Sequence, residues 1–223
     1  DIWFFSVKEV GTYLNMTSAY GRINNIRYRF TNLEKDKKYY RDRDTLFLTA
    51  LNRNEKITFP VMLQTHVLGG LNINKELKYN KAFVAKAKNV RRYILRKENF
   101  EEFPDLYYTD EGYEKETKIT NVNPNIKDYL WGKVELIRWA NTNGDTLDGY
   151  YMIPEGFDAK KKYPVLVYIY EQFSDEANAF YQPRNNHRPI YQSYLGDGYI
   201  VFVPDIKYYD GYPIKEIDGK RIC

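Results

Sequence analysis

The sequence contains two almost continuously apolar runs, Tyr163-Pro164-Val165-Leu166-Val167-Tyr168-Ile169-Tyr170 and Tyr199-Ile200-Val201-Phe202-Val203-Pro204. Continuous apolar runs of this length are typical of strands that are buried on both faces beneath helices. Residues 171–198 between the runs leave room for a crossover connection. We therefore expect the runs to form neighbouring strands in the first part of an α/β sheet.

A β-hairpin is predicted just upstream of these runs. Residues 134–139 and 146–153 are both rich in strand-forming side chains, and Asn143-Gly144-Asp145 lies between them. An Asn-Gly pair between two apolar runs favours a tight turn that joins antiparallel strands. The second half of the chain should therefore open with an antiparallel hairpin and continue into the α/β sheet.

The first half, up to about residue 110, consists of short strand-like runs separated by polar turns. In residues 25–30, Ile26, Tyr28 and Phe30 alternate with polar side chains, which is the period of a half-buried strand. The run from Asn80 to Glu98 contains features of both helix and strand, and we interpret it as a short helical turn leading into a strand. This half is predicted to be antiparallel and rich in β-structure.

Composition and charge exclude several classes of protein. The 34 basic and 30 acidic residues are interspersed and give a net charge of +4, which disfavours a nucleic-acid partner. The single cysteine, Cys223, cannot form an internal disulfide or a cysteine metal cluster. Apolar runs of the length of a membrane span are absent from the sequence. No cofactor, metal or membrane span is expected.

The residues that usually carry catalysis are sparse. The sequence lacks a Gly-x-Ser-x-Gly nucleophile motif, and its two histidines, His66 and His187, lie in an apolar strand-like run and in a polar loop, where packing or solvation is the expected role. The carboxylate pairs Glu101-Glu102 and Asp110-Glu111 are expected to be solvated rather than to form a glycosidase site. Gly69-Gly70 is interpreted as a turn, because no phosphate-loop residues follow it.

A series of short motifs in residues 118–213 resembles the prolyl oligopeptidase and dipeptidyl peptidase family of serine peptidases, particularly its bacterial members. In order, the matching segments are Lys118-Ile119-Thr120 with Asn123-Pro124, Trp131-Gly132-x-x-Glu135-Leu136-Ile137-x-Trp139, Asn143-Gly144-Asp145-x-Leu147-x-Gly149, Ile153-Pro154-Glu155-Gly156-Phe157-Asp158, Lys162-Tyr163-Pro164-Val165-Leu166-Val167-Tyr168 and Gly198-Tyr199-x-Val201-Phe202-x-Pro204-Asp205. The first half matches more loosely, through Asp1-Ile2-Trp3, Thr17-x-x-Tyr20-Gly21-Arg22 and Phe103-Pro104-Asp105-Leu106-Tyr107.

The resemblance implies a β-propeller remnant of two or three blades over residues 1–117, a linker over 118–128, and the N-terminal portion of an α/β-hydrolase peptidase domain over 129–223. In this family the nucleophilic serine, the aspartate and the histidine follow in that order after the early strands. The chain is therefore expected to be a fragment that ends before the triad. The open edge of its incomplete sheet leads us to expect self-association into a homo-oligomer.

The resemblance assigns one functional residue to this chain. In the dipeptidyl peptidase branch, a tyrosine at the end of the strand matching residues 163–170 donates its hydroxyl to the oxyanion of the tetrahedral intermediate, and Tyr170 occupies that position. The family usually places glycine or another small residue next, whereas Glu171 follows here. The intact parent is expected to hydrolyse peptides, and the resemblance favours a periplasmic or secreted location over a cytoplasmic one.

Two other interpretations remain open. The propeller-like and hydrolase-like halves can together form a noncatalytic binding module, since propellers commonly bind partners. The chain can also belong to a different hydrolase of the same superfamily, in which case its first half need not form propeller blades.

The absence of a nucleophile motif gives a direct prediction. A fluorophosphonate probe should not label the purified 223-residue chain, because no serine in it lies in the sequence context that activates a nucleophile. Mass spectrometry of the probe-treated chain measures the labelled fraction. Stoichiometric labelling of any serine would contradict the expected position of the triad.

Overall fold

The computed structural model describes residues 1–6, 8–9, 11–184, 187–207, 216–217 and 220–221. These residues form mostly antiparallel β-structure with few helices. The expected β-rich character is therefore confirmed. None of the helices in the described ranges has the length and apolar character that a membrane crossing requires.

The first part of the chain contains a hairpin and two four-stranded antiparallel sheets. The hairpin pairs β1 (Trp3–Phe5) with β2 (Tyr13–Asn15), and a short helix, α1 (Tyr20–Ile23), follows it. The first sheet contains β3 (Ile26–Phe30), β4 (Thr45–Asn52), β5 (Ile57–Gln64) and β6 (Leu71–Ile73), in that spatial order. The second contains β7 (Asn80–Lys86), β8 (Arg92–Glu98), β9 (Asp105–Asp110) and β10 (Thr117–Lys118), each paired with the next in sequence.

The helical turn predicted within Asn80 to Glu98 is wrong. Both halves of this run are strands, β7 and β8, which pair antiparallel with a register shift between Phe83 and Ala85. Phe83 and Leu95 lie opposite each other in this pair and are buried. Burial of these side chains against the first sheet favours the strand conformation, and it outweighs the helix propensity of the alanines and lysines in this run.

The central strands of the first sheet, β4 and β5, are buried on both faces. One face of β4 and β5 contributes Leu48, Ala50, Phe59 and Val61 to a core that also includes side chains of β3. The opposite face places Phe47 and Met62 against Phe83, Tyr93 and Leu95 of the second sheet. Alternation along the strands thus supplies two separate apolar layers.

A third sheet, the mixed sheet, has the spatial order β11-β12-β14-β13. β11 (Lys133–Ala140) and β12 (Thr146–Ile153) form the predicted hairpin, in which Gly144 has a φ of +80°. β13 (Val165–Val167) runs parallel to β14 (Ile200–Pro204). Their connection contains a 3₁₀ turn (Ser174–Glu176) and a short helix, α2 (Tyr191–Gly196), as the crossover prediction requires.

Near the two ends of this region lie smaller elements. A 3₁₀ turn (Pro124–Asp128) precedes the mixed sheet, and β15 (Glu216–Ile217) pairs with β16 (Lys220–Arg221) after it. Cys223 lies outside the described residues.

The mixed sheet is covered on one face. Tyr150, Met152, Val201 and Val203 form its buried layer, and Leu195 of α2 packs against them. On the other face, Val165 is 54% and Val167 is 47% exposed. The prediction that residues 163–170 form a strand buried on both faces is therefore wrong for the described structure, because nothing described covers that second face.

A buried ammonium group joins the first sheet to the mixed sheet. Lys56, in the turn between β4 and β5, is 5% exposed, and its Nζ lies 2.8 Å from Asp148 of β12 and 3.5 Å from Asp175. Arg27 of β3 forms a second ion pair with Asp175 at 2.9 Å. Asn178 donates hydrogen bonds to the carbonyl oxygens of Glu55 and Lys56.

The same contacts affect the titration of Asp148. Burial acts to raise the pKa of Asp148, but hydrogen bonds from Arg138 and Lys56 outweigh burial and hold the pKa below its usual value.

The indole of Trp131 links residue Phe100, which follows β8 of the second sheet, to the segment 173–181 of the second half. Trp131 donates from Nε1 to the carbonyl oxygen of Phe100 at 2.6 Å. Its ring stacks on Phe180 with a centroid distance of 4.7 Å and an interplanar angle of 12°, and Phe103 contacts the same phenyl ring edge-on. Residues 173–181 are thus held between the two halves of the chain.

Replacement of Lys56 tests the ionic part of this junction. Lys56→Met should lower the free energy of unfolding by about 2 kcal/mol, because Asp148 and Asp175 lose their shared cation and keep only Arg138 and Arg27 as partners. Urea-induced unfolding measures the loss.

Arg43→Met is the matched control, since both positions have positive φ, +55° for Lys56 and +65° for Arg43. Arg43 is 83% exposed and lies 3.9 Å from Asp42, so its loss should change stability by less than about 0.5 kcal/mol. Equal losses in the two variants would contradict a special role for the buried ion pair.

Candidate active site

Tyr170 lies just beyond the carboxyl end of β13. The backbone N–H of Tyr168 donates to the carbonyl oxygen of Phe202 at 2.9 Å, so alignment with β14 continues past Val167. The Tyr170 side chain is 57% exposed, and its ring stacks on Phe173 with a centroid distance of 6.1 Å. Its phenol is therefore accessible at the carboxyl end of β13.

Tyr168 differs from Tyr170 in its surroundings. It is half-buried, packs against the apolar layer beneath the mixed sheet, and stacks on Phe173 at 5.7 Å. The two tyrosines thus contact the same phenyl ring, but only Tyr170 is mostly exposed.

Asp205 fastens the loop that follows Tyr170. It comes directly after β14 and is 8% exposed. Its Oδ1 accepts hydrogen bonds from the backbone N–H groups of Phe173 and Ser174, both at 2.8 Å, and its Oδ2 accepts from the Ser174 hydroxyl at 2.5 Å. The Ile206 N–H also donates to the carbonyl oxygen of Glu171. The ends of the two parallel strands are therefore tied together by polar contacts.

Four aromatic rings surround the guanidinium group of Arg188. Its Cζ lies 4.4 Å from the ring centroid of Phe173, 4.9 Å from that of Tyr181, 5.5 Å from that of Tyr191 and 5.8 Å from that of Tyr168. Nη1 also pairs with Glu176 at 2.8 Å. Burial acts to lower the pKa of Arg188, but the bonds to Tyr191 and Glu176 raise it above its usual value, so the group stays cationic.

A cavity of about 330 Å³ lies between the second sheet and the mixed sheet. Arg96 and Glu98 of β8 form one wall, Tyr150 and Met152 another, and Arg188 lines it as well. Burial raises the pKa of Glu98, whose carboxylate lies 3.3 Å from Arg96. The cavity is therefore lined by charged side chains from the first half and by aromatic side chains from the second half.

Neither histidine lies beside Tyr170. His66 is in the first half, and His187 precedes Arg188 in the loop before α2. His66 is exposed in the turn after β5, which ends at Gln64, so its predicted place inside a strand-like run is wrong. It lines a second cavity together with Trp3 and Tyr40. His187 is exposed next to Arg188, in a loop as predicted. Within the described ranges, no group of three or more His, Cys, Asp or Glu side chains is arranged to hold a metal ion.

Comparisons with known proteins give a fold similarity. No family model matches the sequence, and none of the curated proteins matches it. Among solved structures, the chain is similar to the AtxE2 isopeptidase in its apo form, with a TM-score of 0.53 and 14% identity over 73% of this chain. The S527A variant of that isopeptidase with astexin3-dC4 bound matches with a TM-score of 0.48 and 11% identity, over 84% of this chain and 32% of that one.

The chain spans about a quarter of the apo isopeptidase, 24% of its length. At 14% identity, the similarity shows a shared fold and does not show a shared activity. About three quarters of this chain therefore shares its fold with part of a peptidase.

Proposed function

We propose that this chain is part of a serine-type peptidase of the prolyl oligopeptidase family and supplies the oxyanion-binding tyrosine, Tyr170. The observation that carries the proposal is the exposed phenol at the carboxyl end of β13, beside a loop that Asp205 fastens. The serine, aspartate and histidine of the triad come from sequence beyond these 223 residues. The parent enzyme is a hydrolase of peptides.

The topology supports this assignment. An antiparallel hairpin followed by a parallel pair with a helical crossover matches the expected opening of an α/β-hydrolase sheet. The two four-stranded antiparallel sheets of the first half correspond to propeller blades in this proposal. Residues 1–117 then form the propeller portion, 118–128 the linker and 129–223 the start of the peptidase domain. The fold similarity to an isopeptidase agrees with a peptidase of this organisation.

The proposed chemistry is acyl transfer. The serine oxygen attacks the substrate carbonyl, the carbonyl oxygen becomes an oxyanion, and the histidine accepts the serine proton. The Tyr170 hydroxyl donates a hydrogen bond to that oxyanion, so its contribution is larger in the transition state than in the bound substrate. An accessible phenol at the sheet edge can meet a peptide carbonyl without a rearrangement of the core.

Removal of the phenol hydroxyl tests this role in the full-length enzyme. Tyr170→Phe keeps the ring that stacks on Phe173 and removes the donor, so kcat should fall about a hundredfold or more while KM changes little. Steady-state hydrolysis of a chromogenic peptide measures both constants.

Tyr168→Phe is the matched control, because it removes a hydroxyl two residues earlier from a ring that packs beneath the sheet. Its kcat should stay near that of the wild type. Equal kcat for Tyr170→Phe and the wild type would contradict the oxyanion role.

A further inference from the structure

Asp205 is a buried carboxyl group whose described hydrogen bonds come from one short segment. The side chain is 8% exposed, and all three of its described hydrogen-bond donors belong to Phe173 and Ser174. These donors are 31 or 32 residues away in sequence. A buried carboxylate needs such donors, because its desolvation is costly otherwise. The backbone at residues 173–174 is therefore tied to the end of β14.

The fastened segment is also the support of Tyr170. Phe173 lies three residues after Tyr170, its backbone N–H bonds to Asp205, and its ring stacks on the Tyr170 ring at 6.1 Å and 21°. Phe173 itself is buried and contacts Arg188. Movement of residues 171–174 would therefore displace the ring on which the exposed tyrosine rests.

We propose that Asp205 is a positioning residue that holds Tyr170 in place through Phe173 and Ser174. This inference rests on the proposed function, since it assigns Asp205 a task at the same oxyanion site. Displacement of a catalytic group by about 1 Å can cost as much as a hundredfold in rate. Asp205 does not contact the substrate in this proposal. Its effect on kcat passes through Tyr170.

The experiment is a double-mutant cycle in the full-length enzyme. Asp205→Ala should lower kcat by about ten- to a hundredfold with KM within about twofold of the wild type. The double variant Asp205→Ala/Tyr170→Phe should be no slower than Tyr170→Phe, because a misplaced donor and a missing donor have the same consequence. Asp205→Asn keeps an acceptor oxygen for the two backbone N–H groups and should retain most of the wild-type kcat.

Asp105 provides a matched control in the first half of the chain. It is 5% exposed and accepts from Thr120, the Val122 N–H and Lys118 at 2.6, 3.0 and 2.7 Å. Asp105→Ala should lower stability in unfolding experiments but leave kcat of the folded enzyme near the wild-type value. A fall in kcat equal to that of Asp205→Ala would overturn the proposal, because it would attribute the loss to general destabilisation.

A readout independent of activity uses the 223-residue chain itself. Hydrogen exchange at the Phe173 and Ser174 amides should be slow in the wild type and fast in Asp205→Ala, while exchange in β4 and β5 stays unchanged. If Asp205→Ala does not fold, Ser174→Ala removes the hydroxyl donor alone and should lower kcat in the same direction but by less.

The outcomes separate the two proposals. An inactive full-length wild type, or an inert Tyr170→Phe, would contradict the proposed function. An active enzyme in which Asp205→Ala and Tyr170→Phe lower kcat independently, so that their effects multiply, would overturn the positioning role and leave the oxyanion role intact.

Discussion

The buried ammonium group of Lys56 is the constraint on which the arrangement of the two halves depends. A cation that is 5% exposed is tolerated only with nearby anions, and both of its carboxylates, Asp148 and Asp175, come from the second half. The turn between β4 and β5 must therefore face β12 and the 3₁₀ turn that follows β13. That contact brings residues 173–181 against the first half, and the cavity between the second sheet and the mixed sheet is formed beside it.

Local signals predicted local structure well. The Asn143-Gly144 turn specifies its hairpin because the required backbone geometry, with φ of +80° at Gly144, is satisfied within a few residues. The alternation of Ile26, Tyr28 and Phe30 likewise predicts β3, and only the burial of Phe30 was wrong, since it is 50% exposed at the end of the strand. The interpretation failed between Asn80 and Glu98, where pairing and burial of Phe83 and Leu95 decide the conformation. It also failed at β13, because an apolar run does not specify what covers each face.

The candidate site was only partly accessible to sequence reasoning. Tyr170 was identified through family resemblance, and its exposed place at a strand end agrees with that role without testing it. The sequence does not predict the surroundings of Arg188, because the rings around it are brought together only by the fold. Asp205 was one of the matching residues, but nothing near it in sequence indicates its donors. A charged residue directly after an apolar run, at the carboxyl end of a strand, was the available signal.

The hydrogen bond from Trp131 to Phe100 gives the junction an optical property. The indole is held between residues of both halves, with its N–H donated to the Phe100 carbonyl oxygen. Trp3, by contrast, is already 42% exposed, and Trp139 contacts Phe202 within the mixed sheet. Separation of the halves would break the hydrogen bond from Trp131 to Phe100 and expose that side of the indole to water, and it would leave the surroundings of Trp3 and Trp139 largely unchanged. The intrinsic fluorescence of one indole therefore reports whether the halves are docked, and it distinguishes undocking from global unfolding without an added label.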